Sequence, residues 1–231
     1  METIKNLLRN MAYPGRGIIL GTSPDGRSLI AAYFIMGRSE NSRNRIFEAD
    51  NRAIRIKAYD ESKLTDPSLV IYYPLRICGN KLIVTNGDQT DTIYSYIREG
   101  YGFETALHTR TFEPDSLSTP RISGLMDLAD GSYRFNILKA EENECVRFFF
   151  EYPSIAGNAH FLSTYNGDNN TPLSFAGEPV SVQTEQDIDV FTSLIWDSLN
   201  EENKVSLFVR YIDLKTKEFV TRIVNKFGGE N

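Results

Sequence analysis

Residues 17–35 hold two apolar runs, GIILGT and SLIAAYFI, on either side of Ser-Pro-Asp-Gly, and this pairing constrains the fold most. Proline, aspartate and glycine favour the tight backbone of a reversal, so the two runs predict neighbouring antiparallel strands. The same kind of sequence recurs along the chain. Gly37 closes the second run, and Arg38 to Arg45 (RSENSRNR) reads as polar loop. Strand-like runs resume at 52–59, at 69–73, and as RIC and KLIVT around Gly79-Asn80. SYRFNILKA, CVRFFFEY and HFLSTY continue the pattern, and VSLFVRYIDL with EFVTRIVNKF around Lys-Thr-Lys forms a closing hairpin.

Helical signals are fewer. Residues 2–11 predict a short amphipathic helix that Pro14 and Gly15 end. TDTIYSYIREG follows Asn86-Gly87-Asp88 and predicts a helix capped by Asp88 and stopped by Gly100. A further short helix is expected over 103–110. Another is expected over 185–199, where Ile188, Phe191, Ile195 and Leu199 share a face and Thr184 with Asp187 makes a near capping box. Strands and helices do not alternate regularly, so an α+β class with antiparallel sheets covered by helices fits better than a doubly wound sheet. The 231 residues carry no repeat or composition break, which predicts one domain over 1–231.

Several function classes fall away on composition. A net charge of −6 disfavours broad binding to nucleic acid or an anionic membrane surface. METIKNLLRNMAYPG holds no apolar run long enough for a signal peptide and no later run could span a bilayer, so the cytoplasm is the expected address. Cys78 and Cys145 are the only cysteines and read as reduced packing residues. No GxGxxG or GxxxxGK[ST] occurs, which removes the dinucleotide and P-loop readings. His108 and His160 fit no HExxH or triad pattern, and no ligand cluster suggests a metal.

Three segments could carry chemistry. Segment 38–57 sets Arg38, Arg43, Arg45, Arg52, Arg55 and Lys57 against Glu40, Glu48 and Asp50. Paired arginines there would suit phosphate oxygens, and a solvated loop of mixed charge is the plainer alternative. TNGDQTDT, residues 85–92, lies where a strand meets a helix N-terminus, a place that favours anions, although an Asx turn with an N-cap is by itself the plainer explanation. In FEPDSLSTPR, residues 112–121, Glu113 lies near Arg121 and could act as a general base if its pKa were raised; most loop glutamates are simply solvated.

Taken in order, these segments resemble the archaeal-type IMP cyclohydrolase family. Tyr13-x-Gly15-Arg16 precedes the first strand, Gly37-Arg38-Ser39 with Asn44-Arg45 is similar to the family's arginine loop, and Tyr72 ahead of Arg76-Ile77 is similar to its tyrosine-bearing strand. Asn86-Gly87-x-x-Thr90-Asp91-Thr92-Ile93 and Glu113-x-Asp115-x-Leu117-x-Thr119-Pro120-Arg121-Ile122 are the most specific matches, with Ser163-Thr164-Tyr165 as an echo. Two extra residues lie between Ser39 and Asn44, so Arg43 and Arg45 both fit one family arginine, and Tyr73 stands where an asparagine is expected.

The resemblance implies a four-layer αββα sandwich of antiparallel sheets, similar to the N-terminal-nucleophile hydrolases but without self-processing. Glu2 after Met1 agrees, since it leaves no Ser, Thr or Cys nucleophile there. It implies closure of the purine ring of 5-formamidoimidazole-4-carboxamide ribonucleotide to inosine monophosphate with loss of water, needing no cofactor or metal. In that chemistry Arg45 and Tyr72 would serve the formyl oxygen and Glu113 the proton transfers. Arg16 and Arg38 would hold the 5′-phosphate, Asn86, Thr92 and Arg121 would orient the base and carboxamide, and Arg43 competes with Arg45. A homo-oligomer is expected. An amide-bond hydrolase on the same fold and a non-catalytic purine-nucleotide-binding protein are the alternatives.

Overall fold

The computed structural model describes residues 1–64, 67–142, 144–166 and 172–228. The chain opens with β1 (Glu2–Thr3) and α1 (Ile4–Arg9), whose first turn is capped by the Thr3 hydroxyl accepting from the Asn6 N–H. The expected hairpin follows as β2 (Arg16–Thr22) and β3 (Ser28–Met36), and the Asp25 carboxylate holds its turn by accepting from the Ser23 hydroxyl and the Arg27 N–H. Next come α2 (Glu40–Arg43), β4 (Arg45–Asp50), β5 (Ala53–Ala58), β6 (Leu75–Cys78), β7 (Lys81–Thr85), α3 (Gln89–Arg98) and α4 (Phe103–His108). The chain then runs through β8 (Arg121–Asp127), β9 (Tyr133–Glu141), β10 (Glu144–Tyr152), β11 (Asn158–Ser163), β12 (Val180–Gln183), α5 (Ile188–Trp196), β13 (Lys204–Asp213) and β14 (Phe219–Asn225).

The strands form two seven-stranded sheets, ordered β1-β12-β11-β2-β3-β13-β14 and β10-β9-β8-β7-β6-β5-β4. Among the described residues, neighbouring strands within each sheet pair antiparallel except at the two-residue edge contact of β1 with β12, which is parallel. That edge corrects the expectation of purely antiparallel sheets: β1 is the extended lead into α1 and lies beside β12 in the same direction. The main core lies between the sheets, where Ile18, Leu20, Ala31 and Tyr33 meet Phe47, Leu82, Val84, Ile122 and Phe135. Ile4, Leu8, Phe191 and Ile195 of α1 and α5 pack on the first sheet's other face, and Ile93, Phe103, Ala106 and Leu107 of α3 and α4 on the second sheet's. Such alternation of strand side chains between two buried faces explains why β2 and β3 read as unbroken apolar runs. Among the described residues, no helix is long and apolar enough to cross a membrane.

Four local expectations are corrected, and beside the strand expected over 52–59, which is present as β5, one further strand is found. The run 69–73 is not a strand, because the Pro67 carbonyl accepts from the Val70 and Ile71 N–H groups and curls it into a turn. The expected loop 38–45 contains α2, closed by a reciprocal capping box between Ser39 and Ser42. The strand expected over 52–59 is the second arm of a hairpin, whose first arm β4 was hidden by alternating charge, and Asn51 takes φ 53 at the bend. Asp187 caps α5 by accepting from the Asp189 and Val190 N–H groups, while Thr184 donates instead to the Thr22 carbonyl. Asp88 occupies the N-cap position of α3 without capping it, since its carboxylate faces two arginines. Gly100 does end α3, at φ 88, with the Tyr101 N–H returning to the Tyr96 carbonyl.

Candidate active site

At one end of the two sheets, strand termini and loops carry polar side chains into the interior. Arg16 opens β2 and Arg45 opens β4. Tyr72 lies in the irregular stretch just before β6 rather than in the strand expected for it. Asn86 and Gln89 sit where β7 passes into α3, Glu113 lies in irregular chain before β8, and Arg121 opens β8. All but Arg16 are nearly sealed from solvent: Arg45 is 1% exposed, Glu113 2%, Arg121 4% and Tyr72 6%.

Glu113 is the junction. Its Oε2 lies 3.4 Å from Arg16 Nη2, and its Oε1 lies 3.4 Å from Asn86 Nδ2. The Asn86 amide also donates to the Pro120 carbonyl, and its oxygen accepts from Gln89 Nε2 and the Ile122 N–H. All four positions of that amide are thereby engaged with protein. Gln89 Oε1 accepts from Arg121 Nη1 at 2.7 Å, and the same nitrogen lies 2.7 Å from Asp88 Oδ1. Arg110 closes the far side of Asp88. A chain of contacts therefore runs from Asp88 through Arg121, Gln89 and Asn86 to Glu113 and Arg16. Gly87 makes room for it: a Cβ there would fall 2.5 Å from Arg121 Nη1 and 2.6 Å from Gln89 Oε1.

The loop bearing Glu113 is held from within. The Glu113 N–H donates to the Thr119 carbonyl, and the Asp115 carboxylate accepts from both the Thr119 N–H and its hydroxyl. Thr119 in turn shares a 2.9 Å hydrogen bond with the Tyr165 hydroxyl. Tyr165 stacks on Tyr13, and the Arg38 guanidinium lies over the Tyr13 ring, 4.6 Å from its centroid. Gly15, at φ +75, lets this layer close, since a Cβ would meet Thr164 Oγ1 at 2.3 Å.

Electrostatics follow from burial. Burial pushes the Glu113 carboxyl above its ordinary value, and Arg16 and Arg121 recover only part of that cost. Burial would weaken the Arg16 guanidinium, but the Glu113 carboxylate, then Tyr72, Tyr33 and Tyr165, outweigh it and hold Arg16 above its ordinary value. Burial lowers Arg45, opposed first by Tyr72 and reinforced by the like charge of Arg16. Tyr72 is raised by burial, against the pull of Arg45 and Arg16. For Asp88 burial acts upward, but Arg121 and Arg110 prevail and keep it below its usual range. Among the described residues Arg45 Nη1 and Arg16 Nε are buried without an acceptor, whereas Arg45 Nε donates to the Ser42 carbonyl. The cluster thus combines arginine donors free to meet an oxygen with a carboxyl group that holds its proton more readily than usual.

Two sequence-selected residues stay outside. Arg43 turns away, donating to the Gly37 carbonyl and to Asn203 Oδ1, because α2 inserts a helical turn that points Arg43 and Arg45 in different directions. Thr92 is half-buried in α3, and the residues of that helix that join the polar layer are Gln89 and Thr90. Cys78 and Cys145 are free thiols. His108 stands beside the Phe149 ring, and His160 accepts or donates at Nδ1 against the Tyr133 hydroxyl, both apart from the cluster. Sequence reading missed Gln89, which falls in an unnamed slot of the Asn86 motif, and Tyr33, the one phenol in an apolar run.

Comparison with known proteins gives a consistent neighbourhood. A family model described as "IMP cyclohydrolase-like protein" matches residues 13–218. A protein of Methanosphaera stadtmanae named IMP cyclohydrolase is 30% identical over 164 residues, covering 69% of this chain and 76% of its own. One of Methanopyrus kandleri with the same name is 32% identical over 144 residues, covering 57% and 71% respectively. A third, from Methanococcus maripaludis, is 28% identical over 181 residues, covering 75% and 86%.

Proposed function

The chain belongs to the IMP cyclohydrolase-like family, and on that premise we propose that its buried polar cluster closes the purine ring of 5-formamidoimidazole-4-carboxamide ribonucleotide. The product is inosine monophosphate, and the chain is an enzyme of purine biosynthesis. The observation that carries the site assignment is Glu113, a carboxyl raised by burial, beside Arg16 and in the field of Arg45.

The substrate's carboxamide nitrogen attacks its formyl carbon, forming the C–N bond while the nitrogen loses a proton and the formyl oxygen gains one. The carbinolamine then loses its hydroxyl as water, and the former formamido nitrogen gives up its proton as the C=N bond forms between it and the new ring carbon. Both reacting groups sit on one ring, so holding them face to face removes much of the barrier. Glu113 takes the nitrogen's proton and returns it to the departing hydroxyl. Arg45 Nη1 and the Tyr72 hydroxyl donate to the formyl oxygen as it gains charge.

Other roles shift from the sequence-based expectations. Arg16, set against Glu113, holds that carboxylate rather than the phosphate, which leaves Arg38, exposed above Tyr13, for the 5′-phosphate. Asn86 and Arg121 act from behind Glu113 through Gln89 instead of grasping the base. We extend the proposal to one catalytic domain over 1–231, to a four-layer αββα sandwich like that of the N-terminal-nucleophile hydrolases, and to a cytoplasmic homo-oligomer. No step of the route draws on a cofactor or metal. Mixing the purified chain with the formamido nucleotide and following the ultraviolet spectrum tests the reaction. Appearance of the hypoxanthine chromophore supports it, and deformylation or an unchanged spectrum contradicts it.

A further inference from the structure

We propose that Tyr33 is a positioning residue for ring closure: its hydroxyl donates to Tyr72 and so turns the Tyr72 proton toward the substrate's formyl oxygen. This rests on the proposed function and adds a residue that the family resemblance did not select.

Tyr33 lies midway along β3 and is 0% exposed. Its ring packs against Phe47 and Phe208, with centroids 5.8 Å and 5.9 Å away, inside the core between the sheets. Its hydroxyl reaches the Tyr72 hydroxyl at 2.8 Å, the one hydrogen bond it makes among the described residues. Tyr33 comes from the first sheet and Tyr72 from the chain leading into the second, so the contact joins the two layers at the site.

A phenol carries a single proton, and the direction of the bond follows from where each proton can go. If Tyr72 donated to Tyr33, the Tyr33 proton would have no acceptor among the described residues, because the charged groups acting on its oxygen, Arg16 and Arg45, are themselves donors, a costly arrangement for a buried hydroxyl. If Tyr33 donates, every buried group on its side is satisfied, and the Tyr72 proton is free to face the cluster of Arg16, Arg45 and Glu113. Arg45 and Arg16 act on both phenol oxygens, and as cations they offer neither proton an acceptor, so the direction is set by the Glu113 side of the cluster, which, of the two phenols, only Tyr72 faces. Tyr72 then meets the formyl oxygen already oriented, with no rotation of its hydroxyl needed as charge develops.

The test combines kinetics and stability on Tyr33→Phe, Tyr72→Phe and the double variant. Tyr33→Phe keeps the ring and its packing, so it is expected to slow single-turnover closure about tenfold, the effect of one oriented hydrogen bond, with inosine monophosphate binding unchanged. Because Tyr33 acts through Tyr72, the double variant should be no slower than Tyr72→Phe alone. The melting temperature supplies a readout independent of turnover. Tyr72→Phe strands the Tyr33 proton in the core and should melt lowest, and removing that hydroxyl in the double variant should restore part of the loss. A Tyr33→Phe enzyme at wild-type rate, or a double variant slower by the product of the two single effects, overturns the proposal. So does a Tyr33→Phe protein that melts above the wild type, since that means the Tyr33 proton had no acceptor to lose. Wild-type protein that fails to close the ring overturns the proposed function itself, an outcome distinct from all of these.

Discussion

The Glu113 carboxylate and the Arg16 guanidinium stand 3.4 Å apart inside the protein, too far for a tight ion pair. Glu113 is also pushed upward by its burial, so the pair is not one that locks the carboxylate in its charged form. A carboxyl group that takes up a proton more readily than usual suits a reaction with opposite proton transfers.

This sets an expected pH dependence. The Glu113 carboxyl is raised above its ordinary 4.5, so the closure rate should fall on acidification through an apparent pKa higher than that value. A raised carboxyl also favours the folded state when protonated; its contribution is full below the unfolded value and is lost as pH rises through the folded one. Glu113→Gln should therefore raise the melting temperature near neutral pH, with the gain shrinking as pH drops toward 4. Melting curves and rates of both proteins across pH check the two halves together.

Arg43 and Arg45 should separate cleanly. Arg45 Nη1 is buried with no acceptor among the described residues, so Arg45→Ala should cut closure by about 10²–10³-fold, as for loss of an oxyanion donor. Arg45 is 1% exposed and its removal leaves a void, so some stability will be lost as well, unlike the loss of a loop arginine. Arg43→Ala should keep the rate and lose about 1 kcal/mol of stability with its bonds to Gly37 and Asn203. Parallel turnover and melting measurements on the two variants decide it, and a reversed pattern would assign the family arginine to Arg43.

Gly87→Ala should disturb the site without touching a catalytic group. The added Cβ would lie 2.5 Å from Arg121 Nη1 and 2.6 Å from Gln89 Oε1, forcing apart the contacts behind Asn86. The expected cost is about 1–3 kcal/mol of stability, typical of overpacking, together with a slower closure rate. Denaturant unfolding and single-turnover rates provide the check; a variant equal to the wild type in both would mean that the Asp88-to-Glu113 chain is dispensable.

How far the sequence reveals this arrangement depends on whether the signal is local. The β2–β3 and β13–β14 hairpins were legible because apolar runs flank short turns, and α3 because Gly100 stops it. β4 was not, since Glu48 and Asp50 interrupt its apolar side chains and the bend to β5, Asn51-Arg52, holds no glycine or proline to mark it. Residues 69–73 have strand-like composition, but the Pro67 carbonyl captures two of their N–H groups first. Asp88 reads as a helix cap until two arginines, 22 and 33 positions later in the chain, are folded onto it. Arg16, Arg45, Tyr72, Glu113 and Arg121 were selected from their motifs, yet which of them face one another is set by strand order. Tyr33 had no motif, because its neighbours in sequence are core residues and its partner is on the opposing layer.

The most direct test of the account is single-turnover ring closure by Glu113→Gln beside the wild type, with inosine monophosphate binding titrated on both. The amide keeps the size and reach of the carboxyl group but cannot take up a proton at neutral pH. Loss of the general base is expected to slow closure by roughly 10²–10⁴-fold, leaving a residual rate from the held substrate geometry. Binding of the product should change little. Closure at the wild-type rate, with binding intact, would contradict the assignment of proton transfer to Glu113.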